Sequence, residues 1–177
     1  SATSAGLLND WLRGQSDVFK DLDLGGQFRV RYEVKENGGN DGKYASQDFM
    51  ANLPPGKFND NSFLYLREKV HVGYTPSSWL GFYVEARDSS STGDERDPNP
   101  GADQFDLHQA FITLGHAKEF PLTLKAGRQE LVYGDERLVG NGDWGNVPRA
   151  FDAAKLRFEN DNVWVDAFTG RPVLPDN

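Results

Sequence analysis

The chain has 177 residues, of which 37% are hydrophobic, and a formal net charge of −8. Its lack of cysteine excludes a disulfide scaffold and a thiolate metal site, and its negative charge argues against nucleic acid as a partner. No stretch approaches about 18 consecutive apolar residues, which excludes a transmembrane helix. A membrane β-barrel is not excluded, because its strands need an apolar residue only at every second position.

The N-terminal segment, residues 1–21, is a lead that precedes the first regular pattern. Leu7, Leu8, Trp11 and Leu12 have the spacing of one side of a short helical turn. The segment therefore predicts a brief helix and no strand.

From Leu22 the hydrophobic period becomes two, which is the period of a β-strand. The first strand is predicted to end at Lys35, and it is long for a soluble protein but suits a tilted membrane strand of about 9–11 residues. Glu68 interrupts the apolar face of the second run. The six further alternating runs lie at about 63–74, 80–87, 105–115, 122–127, 154–158 and 163–168.

The connections between these runs alternate in length. Long segments rich in Gly, Asn, Asp and Pro cover 36–61, 88–104 and 132–150, whereas the short ones cover 75–79, 116–121 and 159–162. Long loops at one end and short turns at the other are typical of outer-membrane barrels. We therefore predict an all-β fold over residues 22–177, an antiparallel up-and-down transmembrane β-barrel of which about seven strands are present.

A soluble β-sandwich is the alternative, because its strands alternate in the same way. Three features favour the membrane barrel. The strands are long and their connections alternate in length, the polar face carries bulky aromatic residues, and the chain ends after an odd number of predicted strands. Since bacterial barrels use even strand numbers and an open edge cannot lie in lipid, we expect a fragment that is incomplete at its C-terminus. The aromatic residues of the polar face are Phe63, Tyr65, Tyr83, Phe111, Trp164 and Phe168.

Basic residues concentrate on the polar face of the predicted strands. Only Glu33, Glu85 and Asp166 oppose them there, and most other acidic residues fall in the predicted loops. Rings of Arg and Lys make a pore favour anions, and a guanidinium pairs bidentately with a carboxylate such as that of a uronate polymer. The alternative is a plain solvated face. The predicted pore-lining residues are Arg29, Arg31, Lys35, Arg67, Lys69, Arg87, Lys125, Lys155 and Arg157.

Other chemistry finds weak support. The segment from Asp88 resembles a calcium loop only faintly, because Asn99 stands where Glu is required, although Asp94, Asp97 and Asp103 are weak calcium candidates. The three histidines lack ligand spacing and are interpreted as structural. No hydrolase or phosphate-loop motif is present, so we expect neither an enzyme nor a cofactor.

One stretch resembles a known family. The run GRQELVYGDERLVG over residues 127–140, followed by Asp143-Trp144 and by RAFDAAKL over 149–156, is similar to the alginate export family of outer-membrane proteins. The resemblance implies a barrel of about 18 strands that exports an anionic polysaccharide. It also implies that Arg128 and Arg137 line the constriction. Simple alternation places Arg128 on the side of Leu124 and Ala126, so a bulge or the end of the strand has to intervene, or the predicted register is wrong.

We thus expect a passive, anion-selective channel in the bacterial outer membrane, with an anionic exopolysaccharide such as alginate as its cargo. Its expected partners are that polymer, the lipid bilayer and periplasmic secretion proteins, with no nucleic acid. The alternatives are a general nutrient porin and a soluble β-sandwich that binds carbohydrate. Inward folding of the 36–61 loop would favour selective export.

Overall fold

The computed structural model describes residues 6–35, 61–94, 99–116 and 118–174. They form one seven-stranded antiparallel sheet in which every strand pairs with the next along the chain. The strands are β1 Leu22–Lys35, β2 Asn61–Ser77, β3 Leu80–Thr92, β4 Asp103–Leu114, β5 Leu122–Gln129, β6 Phe151–Glu159 and β7 Trp164–Pro172. The prediction of an all-β, up-and-down sheet is confirmed. The sheet is open, with β1 and β7 as its edges.

The period-two alternation divides the sheet into an apolar and a polar face. On the apolar face large side chains stand exposed, because nothing among the described residues packs on them. Such an exposed apolar sheet face is unusual in a soluble protein and suits a lipid-facing wall. Its exposed members include Phe28, Val30, Tyr32, Val34, Val70, Val72, Tyr74, Phe82, Val84, Leu124, Leu156, Phe158 and Val165.

The structure lengthens several predicted strands. β3 runs to Thr92, so Asp88, Ser90 and Thr92 lie in a strand and the prediction that they belong to a loop is wrong. The long connection after β3 shrinks to 93–102, and the one after β5 covers 130–150. The alternation of long and short connections is nevertheless retained, with short turns at 78–79, 115–121 and 160–163.

The predicted helical turn is α1, Leu7–Gln15, followed by a short 3-10 turn at Asp17–Phe19. The amide of Asn9 donates to the Asp23 carboxylate at 2.7 Å, and the Asn9 carbonyl accepts from the Leu24 backbone N–H at 2.8 Å. That N–H lies near the start of the edge strand β1. Asn9 of α1 therefore supplies a hydrogen-bond acceptor to a backbone group of the sheet edge, at the end of the sheet where the short turns lie. None of the described helices is long and apolar enough to cross a membrane.

A single glycine in β5 allows a close approach between strands. Gly127 has φ +125°, a backbone conformation that residues with a side chain rarely adopt, and a Cβ there would overlap the Ala110 carbonyl oxygen and lie 2.8 Å from the Phe111 Cα.

We expect Gly127→Ala to lower the free energy of unfolding by about 1–3 kcal/mol, measured in detergent. Gly81→Ala in β3 is the matched control, because its Cβ would meet only ordinary contacts at 3.8 Å. Equal stability of the two variants would contradict the strain.

Candidate functional site

The polar face gathers basic side chains from five strands, and we call it the basic face. Pairing places Arg29 opposite Arg67, Lys69 opposite Arg87, and Lys125 opposite Lys155. Strict alternation brings three more predicted residues to this face, namely Arg31, Lys35 and Arg157. The structure therefore brings nine of the eleven predicted basic residues together on one side of the sheet.

The connection over residues 130–150, here the 130–150 loop, folds back across the basic face. Arg29 donates to the backbone carbonyls of Asp143 at 2.8 Å and Gly145 at 2.6 Å. Arg67, whose side chain is only 1% exposed, donates to the same two carbonyls at 3.3 Å. Arg87 donates to the Pro148 carbonyl at 2.8 Å. The guanidinium groups thus serve as anchors for backbone carbonyls that strand pairing leaves without partners.

Asn146 is the most deeply buried anchor of the 130–150 loop. It is 1% exposed, and its amide lies within hydrogen-bond distance of the carbonyls of Leu66, Ser90 and Gly101 at 2.9, 3.1 and 2.7 Å. The backbone carbonyl of Asn146 accepts a hydrogen bond from the Ser89 hydroxyl at 2.9 Å. One side chain therefore ties the loop to β2, to β3 and to the connection after β3.

Glu130, at the start of the 130–150 loop, joins a cluster of charged groups. It accepts from Lys69 at 3.2 Å, from His108 at 2.8 Å and from Asn141 at 2.8 Å. Burial alone would raise the pKa of the Glu130 carboxyl, but the hydrogen bonds from His108 and Asn141 and the charge of Lys69 lower this pKa to about 2. Glu130 is therefore an anion at any physiological pH.

His108 bridges this cluster to Arg87. The Arg87 guanidinium lies 3.3 Å from Nδ1 of His108, and a guanidinium can only donate, so Nδ1 accepts and the proton lies on Nε2 toward Glu130. Donor atoms of Glu85, His108 and Glu130 lie within 4.8 Å of one another, the composition of a metal site. The Lys69 ammonium lies 3.5 Å from Glu85 and 3.2 Å from Glu130, so it already balances both carboxylates.

The nine basic residues meet more carboxylates than the three, Glu33, Glu85 and Asp166, that strand alternation places against them. Seven of the nine basic residues have an acidic partner within ion-pair distance, and several partners come from the connections. Asp143 of the 130–150 loop lies 2.9 Å from Arg67, and Asp103, at the start of β4, pairs with Arg87. The acidic partners are Glu33, Glu85, Asp103, Asp106, Glu130, Asp143, Glu159 and Asp166.

The two remaining predicted pore residues, Arg128 and Arg137, do not lie on the polar face of a strand. No register shift separates Arg128 from Ala126, so the expected bulge does not form, and Arg128 pairs with Asp152 at 2.9 Å in line with the apolar face. Arg137 is exposed in the 130–150 loop. Strand alternation alone therefore decides the place of Arg128, because both neighbouring ladders keep their register.

Two of the weak calcium candidates have other partners. Asp103 is buried against Arg87, and Asp94 accepts hydrogen bonds from Asn61 at 2.9 Å and Tyr65 at 3.3 Å. Asp97 lies outside the described residues. Residues 36–60 also lie outside them, so the inward folding of the 36–61 loop stays a prediction. The connection that folds inward among the described residues is the 130–150 loop.

The aromatic residues of the polar face pack as rows. Tyr83 stacks on Phe111 with ring centroids 5.0 Å apart, and the Lys125 ammonium lies 3.6 Å from the Phe111 centroid. Tyr133 of the 130–150 loop stacks on Phe168 at 5.3 Å. Burial, with the hydrogen bond that Tyr133 donates to Asp166, raises the pKa of its hydroxyl to about 12. Stacking thus adds a second means of holding the loop.

Removal of the Asn146 amide is predicted to loosen the 130–150 loop. Asn146→Ala leaves buried carbonyls without a donor, so the free energy of unfolding should fall by about 1–3 kcal/mol and protease should cut more rapidly within the loop. Asn162→Ala, in an exposed turn, is the matched control. Unchanged proteolysis of the 130–150 loop in Asn146→Ala would contradict the anchoring role.

Glu130 should also give stability a specific dependence on pH. Because its folded pKa of about 2 lies below the ordinary value of 4.5, its contribution is complete above pH 4.5 and is lost as the pH falls toward 2. We expect Glu130→Gln to lack this part of the acid-induced loss of stability, measured by denaturant unfolding across that range. Glu119→Gln, in an exposed turn, should retain it. Parallel pH profiles of wild type and Glu130→Gln would refute the assignment.

Comparison with known proteins identifies the family of the chain. No curated protein and no solved structure matches this chain. The sequence model of the family described as Alginate export matches residues 20–177, which include all seven strands and the 130–150 loop. The chain therefore belongs to the alginate export family.

Proposed function

We propose that this chain is part of an outer-membrane channel through which an anionic polysaccharide, with alginate as the first candidate, passes along the basic face. The observation that carries the proposal is the 130–150 loop, which is anchored across a face built from nine basic residues. Membership of the alginate export family supports polysaccharide as the cargo. The proposed channel is passive and has no enzymatic activity.

The two faces of the sheet support a membrane location. The exposed apolar face matches what a bilayer covers, and the opposite face is charged, as in the wall of an aqueous pore. A soluble sandwich needs a second sheet on its apolar face, and the described residues form one sheet. The outer membrane is the compartment that this family implies.

The extensive ion pairing of the basic face favours a second candidate, a general nutrient porin. Carboxylates beside most of the cations reduce the net field that an anion would meet. Lys125 and Lys155 differ, because they are paired in register and no ion pair of Lys125 is found among the described residues, whereas Lys155 has only Asp166, which Arg157 also binds. The selectivity of the pore should therefore depend strongly on these two lysines.

We expect the double substitution Lys125→Gln and Lys155→Gln, in the full-length protein, to lower the ratio of anion to cation permeability severalfold, as measured by reversal potentials in planar bilayers. The physical reason is the loss of two positive charges from a part of the wall with few carboxylates. Lys118→Gln, in the exposed turn before β5, should leave the ratio unchanged.

Cation selectivity of the wild-type channel would contradict an anionic cargo. Wide conductance with weak selectivity, insensitive to the lysine substitutions, would instead indicate the general porin.

A further inference from the structure

An exposed indole stands on the basic face at the tip of the inward-folded loop. Trp144 is 80% exposed, although the residues on both sides of it in sequence are anchored by Arg29 and Arg67. The guanidinium of Arg31 lies 4.8 Å from the ring centroid, and Arg31 also donates to the Trp144 backbone carbonyl. Arg31 thus supports one side of the indole, and most of the remaining ring surface is open.

The anchors on either side hold this ring in a fixed place. Asn146, two residues further, is buried and bonded to three backbone carbonyls. Exposure of a large aromatic side chain costs free energy unless a ligand covers it, and a rigid backbone reduces the entropy that is lost when a ligand binds. Trp144 therefore has the properties of a preformed stacking surface.

The charge beside Trp144 defines which ligand suits it. Arg29, Arg31 and Arg67 interact with one another and with two carboxylates, those of Glu33 and Asp143. Three positive charges against two negative ones leave an excess of one among these side chains. The apolar C–H face of a sugar ring can stack on an indole, and guanidinium groups donate hydrogen bonds to a carboxylate.

We propose that Trp144 and Arg31 form a binding subsite for an acidic pyranose, with the sugar ring stacked on the open side of the indole and its carboxylate near the arginine group. This inference rests on the proposed function, because it locates one sugar of the transported polymer within the channel. The subsite lies on the 130–150 loop, so each sugar that passes the loop meets the indole.

The test is the block of single-channel current by oligouronates in the full-length protein. We expect wild type to show discrete blocks, and Trp144→Leu to shorten their mean duration roughly fivefold to tenfold. Trp144→Phe retains an aromatic face and should restore part of the duration. Trp79→Ala, which removes a 55% exposed indole from the turn between β2 and β3, should leave it unchanged.

The charge requirement has its own control. Malto-oligosaccharides of the same number of rings lack carboxylates and should give shorter blocks than oligouronates in wild type, with a smaller difference between wild type and Trp144→Leu. Block durations equal in wild type and Trp144→Leu, with open-channel conductance also equal, would overturn the subsite. The absence of any oligouronate block in a conducting wild-type channel would instead overturn the proposed function.

Discussion

The organisation of the basic face depends on hydrogen bonds from arginine to backbone carbonyls. A loop that leaves a sheet has carbonyls without strand partners, and in a site from which water is partly excluded each of them needs a donor. Arg29, Arg67 and Arg87 supply these donors to the 130–150 loop, and Asn146 in the loop donates in the opposite direction, to carbonyls of β2 and β3. These three arginines, which were predicted to line a pore, therefore fix the path of the 130–150 loop.

This use of arginine changes the electrostatics of the site. The loop brings Glu130 and Asp143 onto the face, so its folding supplies much of the counter-charge. The Glu130 carboxylate stays ionised because His108 and Lys69 lie against it. Net attraction for an anion is thus concentrated at Lys125 and Lys155, which have few carboxylates nearby, and near Trp144, where three arginines outnumber two carboxylates.

Much of the fold could be predicted because period-two alternation encodes strands and their two faces directly. The same alternation placed nine basic residues correctly and implied the true side of Arg128, which the structure confirms in place of the expected bulge. The path of the 130–150 loop could not be predicted, since hydrogen bonds to backbone carbonyls impose no period on the sequence. A usable signal was present, because Trp144 and Asn146 stand among glycines in a polar loop, where a large indole and a buried amide both require an explanation.

If the 130–150 loop narrows a basic channel, as we propose, a channel with a shortened loop should differ in conductance. In the full-length protein, residues 134–145 would be replaced by a short Gly-Ser linker that keeps Glu130 and Asn146. We expect a clear rise in single-channel conductance together with stronger anion selectivity, because the loop segment and Asp143 are removed while Arg29 and Arg67 remain. Unchanged conductance and selectivity in the shortened channel would show that the loop does not narrow the pore.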